Sequence, residues 1–163
     1  MARSARLDRI DLAILEHLQN DGRATTVELS DAVGLSASPC HRRQRLLEDA
    51  GVIQRYVALL DQEQVGLGVN VFVTVEMSAH ADELMQQFEA AVADCPEIME
   101  CYEIAGTGDF LLRVVAADLP SYESFLRSRL TRMSGVRSVR SVFALKRVVY
   151  RTKLPLTLRA PED

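Results

Sequence analysis

The stretch from Thr25 to Ile53, TTVELSDAVGLSASPCHRRQRLLEDAGVI, limits the fold of this chain more than any other part. It spells two short helices with a tight turn between them. Thr25 and Glu28 stand three apart at the head of an apolar pattern, so each side chain can satisfy a free backbone N–H of the first turn. Gly34 ends that helix, because a positive φ costs glycine little. Ser36 is a good N-cap for the next helix, and Pro39 is tolerated because it falls in the first turn. Gly51 closes it.

At 100° per residue, Cys40, Gln44 and Leu47 share one face of the second helix, and Ser38, His41, Arg42 and Arg45 share the opposite one. The apolar face predicts packing against earlier helices. The other face suits a major groove, where arginine can bond guanine O6 and N7 together, or only phosphate, which fixes register without reading sequence. A solvated basic helix face is the plain alternative. Gln44 is the odd residue, standing where an aliphatic side chain is expected. A third helix comes first: Leu7, Ile10, Ile14, Leu15 and Leu18 follow helical spacing, Asp8 is the expected N-cap with Asp11 supporting it, and Asn20-Asp21-Gly22 is the stop. Three such helices bury one small core, the form of a helix-turn-helix DNA reader.

The chain has 163 residues and a net charge of −4, which argues weakly against nucleic acid until its distribution is read. Met1–Tyr56 is neutral, Val57–Leu119 carries −11, Pro120–Lys153 carries +8, and the tail −1. The acidic and basic blocks are expected to neutralise one another within a second domain or across a subunit interface; a DNA-facing basic tract after Pro120 is the other reading. Cys40, Cys95 and Cys101 are odd in number and lack metal-site spacing, which suggests a reducing, cytoplasmic setting without a disulfide framework. The segment MARSARLDRID lacks the apolar core of a signal peptide, and no apolar run approaches membrane-spanning length, so no membrane partner is expected. No metal or cofactor is implied.

The second half alternates strand and helix patterns. Val52–Asp61 reads as a short strand or hinge, and Gln62–Gly68 as a linker. Strands are expected over Asn70–Met77, Ile98–Ala105, Asp109–Ala117 and Val136–Val149, and helices over Ala81–Ala93 and Tyr122–Met133, with Gly135 ending the last. The order β-α-β-β-α-β predicts an α+β, ferredoxin-like antiparallel sheet with both helices on one face. Phe72 and apolar positions of the last strand are left for the other face, so a homodimer through this domain is expected; a monomer with an amphipathic outer face is the alternative. The expected domains are 1–60 for DNA binding, 61–68 as linker, 69–156 for sensing and dimerisation, and 157–163 as tail.

Between the second and third strands lies Ala105-Gly106-Thr107-Gly108-Asp109-Phe110. Two glycines let backbone N–H groups approach a carboxylate, and Asp109 can accept from an ammonium group; together they suit an α-amino acid. An ordinary hairpin turn capped by its own aspartate is the competing reading.

Over Leu7 to Leu156 the chain resembles the Lrp/AsnC family of bacterial and archaeal transcriptional regulators. The matching pieces are LDRIDLAILEHLQNDGR, ELSDAVGLSASPCHRRQRLLEDAGVIQRYVALLD, GTGDFLLRV and SYESFLRSRLTRMSGVRSV, in that order and spacing. The resemblance implies an N-terminal winged helix-turn-helix and a C-terminal domain that senses small metabolites, usually amino acids. It also implies dimers that often assemble further, to tetramers or octamers. It maps a recognition helix onto Ser36–Ala50, giving Ser36, Ser38, Pro39, His41, Arg42, Arg43 and Arg45 a role on double-stranded DNA, and an effector turn onto Gly106, Thr107, Gly108 and Asp109. Gln44 and Leu46 swap the polarity usual in the family's R-[IV]-x-R-L pattern, and Thr107-Gly108 is smaller than the pair often found before its aspartate. SVFALKRVVYRTKLPL with VNVFVTVEM looks most like the branch that controls branched-chain amino-acid and keto-acid metabolism.

Two other classes compete. Some Lrp-like chains act on tetrapyrroles as sirohaem decarboxylases, which needs ionisable groups in the sensor cleft; of His17, His41 and His80, only His80 lies in the sensor half, at a strand–helix junction where solvation accounts for it. A non-DNA-binding amino-acid effector module has Gln44 as its only support.

Overall fold

The computed structural model describes residues 7–157, and these divide into two compact units: 7–59 with 149–157, and 60–148.

The first unit holds α1 (Arg9–Asn20), α2 (Thr26–Val33) and α3 (Ala37–Asp49). Local chemistry accounts for each start. Asp8 accepts from the N–H groups of Ile10 and Asp11, while Asp11 accepts from the N–H of Asp8. Thr25 and Glu28 form the same reciprocal pair at α2. Gly34 then turns the chain at φ 68°. Ser36 stands at the N-cap of α3 with extended backbone, but its side chain makes no capping bond. Ile14, Leu15, Leu29, Cys40 and Leu47 form the buried core, so the inward face expected for α3 is the one that packs. Burying side chains of this kind stabilises by about 1.5–3 kcal/mol each.

After α3, Val52–Asp61, read as a short strand or a hinge, forms no strand: these residues make turns and irregular backbone. A strand needs a ladder partner, and this segment has none among the described residues. The C-terminal segment returns to the first unit. Leu154 donates its N–H to Gln19 Oε1 at 2.6 Å and accepts from Gln19 Nε2 at 3.3 Å, Lys153 reaches Glu16 at 3.0 Å, and Leu156 packs on the core.

The second unit holds β1 (Val69–Met77), α4 (Asp82–Ala93), β2 (Ile98–Glu103), β3 (Phe110–Ala116), α5 (Leu119–Ser128), a 3-10 turn (Leu130–Arg132) and β4 (Val136–Phe143). The strands lie in the order β2-β3-β1-β4, with every neighbouring pair antiparallel. Val71, Val73, Val75, Phe110, Leu112 and Val114 from the sheet meet Phe88, Val92, Tyr122, Phe125 and Leu130 in one core.

Three boundaries differ from expectation by more than two residues, and β2 stops at Glu103, two residues short of Ala105. The second helix of this unit starts at Leu119 rather than Tyr122, because Asp118 caps it by accepting from the Ser121 N–H and Pro120 sits in its first turn. Its last turn tightens into the 3-10 form after Arg129 leaves helical geometry at φ −121°, ψ −70°. The last strand stops at Phe143 rather than Val149, where its partner β1 runs out: Ala144 donates to Asn70 O at 3.0 Å, one residue after the start of β1. Part of the charge asymmetry neutralises inside this unit, through Arg137–Glu76 at 2.7 Å and Arg129–Glu97 at 3.9 Å.

The face of the sheet away from the helices carries Phe72, Val142, Leu111 and Tyr102 around the Arg113–Glu100 pair (2.8 Å). Phe72, Val142 and Tyr102 are exposed at 41%, 57% and 55% in the single chain.

Candidate nucleic-acid interface and effector turn

The reading face begins at α3. Packing Cys40 and Leu47 inward turns Ser38, His41, Arg42 and Arg45 to solvent, and all four are exposed. Arg42 and Arg45 make no ion pair among the described residues, so two guanidinium groups stand ready on one face. Pro39 is half-buried and holds the first turn.

Arg43 is placed differently. Its Nη1 lies 2.7 Å from both Asp8 Oδ2 and Asp11 Oδ1, so the guanidinium is turned onto the capping box of α1. The Arg43 pairs and the backbone N–H bonds at the cap both hold the Asp8 carboxyl below its usual range, the Asp11 N–H most strongly. One residue thus joins the start of α1 to the middle of α3.

Gln44 also has a structural partner. Its Nε2 donates to Glu48 Oε1 (3.1 Å) and Tyr56 OH (2.9 Å), and Tyr56 in turn donates to Glu48 (2.8 Å). An amide suits this site because it ties α3 to the segment leaving it, which an aliphatic side chain would not do. Leu46, the other half of the polarity swap, is exposed.

In the second unit, the turn between β2 and β3 sits at the end of the sheet where β1 finishes and β4 begins; the linker enters at the opposite end. Gly106 and Gly108 have φ of 136° and 120°, a region open to glycine and strained for other residues. Gly108 also lies against Thr74 of β1, where a Cβ would overlap Thr74 Cγ2. The N–H groups of Gly108 and Asp109 are used internally, on Gly106 O (3.1 Å) and Val75 O (2.9 Å). Gly106 and Thr107 donate to no acceptor among the described residues, so theirs are the N–H groups left for an anion.

Asp109 is engaged on both oxygens. Oδ2 accepts from the Met77 N–H at 2.6 Å, and Oδ1 lies 2.7 Å from His80 Nε2. His80 therefore does more than face solvent, as its position in the sequence suggested. The Met77 N–H first, and the His80 bond second, hold the Asp109 carboxyl below its ordinary value. A depressed carboxyl contributes stability that is fully present above the unfolded value, about 3.9, and is lost as pH falls through the folded value. Asp109→Asn should therefore flatten the acid limb of sensor-domain unfolding below about pH 4; circular dichroism across pH 2–5 reads this, and an unchanged limb would remove Asp109 from the brace. Along β2 and α4, Val92, Ile98, Met99 and Phe110 line an open groove of about 330 Å³ with Glu89, Glu100, Cys101 and Glu103; it comes nearest the turn at Phe110 and includes no residue of Gly106–Asp109.

Comparison with known proteins agrees with both halves. Residues 7–54 match the winged helix-turn-helix DNA-binding family, and residues 70–154 match the Lrp/AsnC ligand binding domain. The chain belongs to the Lrp/AsnC family. It is 43% identical over 152 residues to the Bkd operon transcriptional regulator of Pseudomonas aeruginosa, covering 93% of this chain and 99% of that protein. It is 42% identical over 142 residues to the leucine-responsive regulatory protein of Rhizobium meliloti, covering 87% and 91%. Among solved structures, a transcriptional regulator of Neisseria meningitidis in complex with L-methionine matches with a TM-score of 0.87 and 40% identity, over 91% of this chain and 96% of that one. This Lrp/AsnC chain is thus a DNA-binding transcriptional regulator with an α+β fold: an N-terminal winged helix-turn-helix and a C-terminal ligand binding domain. Its named relatives are regulators of transcription rather than enzymes, and no helix among the described residues is long and apolar enough to cross a membrane.

Proposed function

We propose that this regulator reads a specific operator with Ser38, His41, Arg42 and Arg45, and that a small, aliphatic α-amino acid changes its assembly or its DNA affinity. The observation that carries the reading is the division of labour on α3: Cys40 and Leu47 are buried, Arg43 braces α1, and Arg42 and Arg45 remain exposed and without ion-pair partners among the described residues. Arg43 then supports DNA binding indirectly, by fixing the angle of α3, and Ser36 and Pro39 shape its first turn.

The effector is held by the turn from Gly106 to Asp109. Its carboxylate takes the N–H groups of Gly106 and Thr107, its ammonium takes Asp109, and the groove beside Phe110 accepts the side chain. That volume sits at the small end of ligand pockets, which suits one amino acid. The Neisseria meningitidis relative's complex with L-methionine, and the names of the leucine-responsive and Bkd operon relatives, favour an apolar effector.

Two copies pair through the outer sheet face, covering Phe72, Val142 and Tyr102, and dimers assemble further; the protein works in the cytoplasm. Coupling needs only that the effector bind one assembly better than another. Sedimentation of the full chain with L-leucine, L-isoleucine, L-valine and L-methionine tests this. A dimer or larger whose distribution shifts with at least one of these supports it; a monomer at micromolar concentration, indifferent to all four, contradicts it. Phe72→Glu should weaken the dimer by replacing an apolar contact beside the Arg113–Glu100 pair with a second carboxylate.

A further inference from the structure

The unexpected partner of Asp109 gives the effector turn a built-in competitor. His80 Nε2 holds Asp109 Oδ1 at 2.7 Å, while the Met77 N–H holds Oδ2 at 2.6 Å. The Asp109 side chain is only 18% exposed and that of His80 is 73% exposed, so the imidazole lies on the solvent side of the carboxylate. Oδ2 is fixed by backbone; Oδ1 is held by a side chain that can rotate away. His80 belongs to the short connection between β1 and α4, outside either element, and its ring makes no other hydrogen bond among the described residues. Arg137, the other charge that acts on Asp109, is itself paired with Glu76 at 2.7 Å, so it does not take the place of His80.

We propose that His80 sets the effector affinity of this turn: its imidazole competes with the effector's ammonium for Asp109 Oδ1 and yields that oxygen when the ammonium binds. The inference rests on the turn being the effector site. In an α-amino acid the ammonium and carboxylate sit on one carbon, so a carboxylate on the Gly106 and Thr107 N–H groups brings the ammonium to the nearest carboxylate in sequence, Asp109. An ammonium and an imidazole then compete for one oxygen.

Calorimetric titration of the full chain with L-leucine and L-methionine tests this, using His80→Ala, His80→Gln and Asp109→Ala. His80→Ala is expected to bind about 3–10-fold more tightly, roughly the net worth of one side-chain hydrogen bond. His80→Gln retains a donor and should stay near wild type, and Asp109→Ala should lose binding. The imidazole nitrogen resonances of His80 should move toward those of a solvated ring on saturation, which a purely structural histidine would not do. Equal or weaker binding by His80→Ala, with wild type still binding, overturns the competition and leaves the effector turn standing. Absence of binding by wild type and His80→Ala alike overturns the turn as the effector site, and this inference with it.

Discussion

Replacing Arg42 and Arg45 together with alanine is expected to lower operator affinity by roughly 10²-fold or more, since each bidentate base contact is worth about 1–3 kcal/mol. Both side chains are exposed on the face of α3 opposite Cys40 and Leu47, so their loss leaves the helical core untouched. Melting temperature and oligomeric state should not change. The salt dependence separates two ways of using them. Arginines on phosphate give up about one unit of salt slope each, and weaken all sequences alike. Arginines on base edges leave the slope nearly unchanged, and narrow the gap between operator and random DNA. Arg43→Ala is the contrast: it frees Asp8 and Asp11 from their pairs, so it should lower the melting temperature of the first unit. Dimers that fall apart on losing Arg42 and Arg45 would make this face an assembly surface.

Gly108→Ala should disable the sensor domain while sparing the DNA reader. A φ of 120° is strained for any residue with a Cβ, at a cost of about 1–3 kcal/mol. The added methyl would also overlap Thr74 Cγ2, next to Val75, whose carbonyl accepts from Asp109. The turn must shift, and with it the Asp109 carboxylate and the free N–H groups of Gly106 and Thr107. Effector binding should disappear, and the unfolding transition of the second unit should move down by several degrees. Thr74→Ala in the same chain removes the overlap but not the φ strain, so it should restore stability only in part. Full stability and normal effector binding in Gly108→Ala would mean that the turn adopts another conformation.

What the sequence revealed follows the range of each interaction. The capping boxes at Asp8/Asp11 and Thr25/Glu28 join residues three apart, so spacing alone was enough to read them. The inward valines of β1 and the inward face of α3 were legible from periodicity. The start of α5 is also written locally, in Asp118 and Pro120, but the apolar pattern of that helix begins only at Tyr122. Arg43 is another matter. On the wheel it borders the inward face, beside Leu47, and its acceptors lie 35 and 32 residues away, where no spacing rule reaches. His80 and Asp109 are 29 apart and meet only because β1 and β3 pair. Strand ends are likewise set by partners: apolar residues continue beyond Phe143, but β1 has no more backbone to offer, and Val52–Asp61 has no ladder partner among the described residues.

The central claim is that the exposed face of α3 reads DNA sequence. Fluorescence anisotropy of the full chain, on its own upstream DNA and on a shuffled duplex of equal length, over 50–300 mM salt, tests it most directly. Affinity is expected to be at least about 10³-fold tighter for the upstream DNA at physiological salt, with a steep salt dependence for both duplexes. Equal affinity for the two, measurable only at low salt, would contradict it.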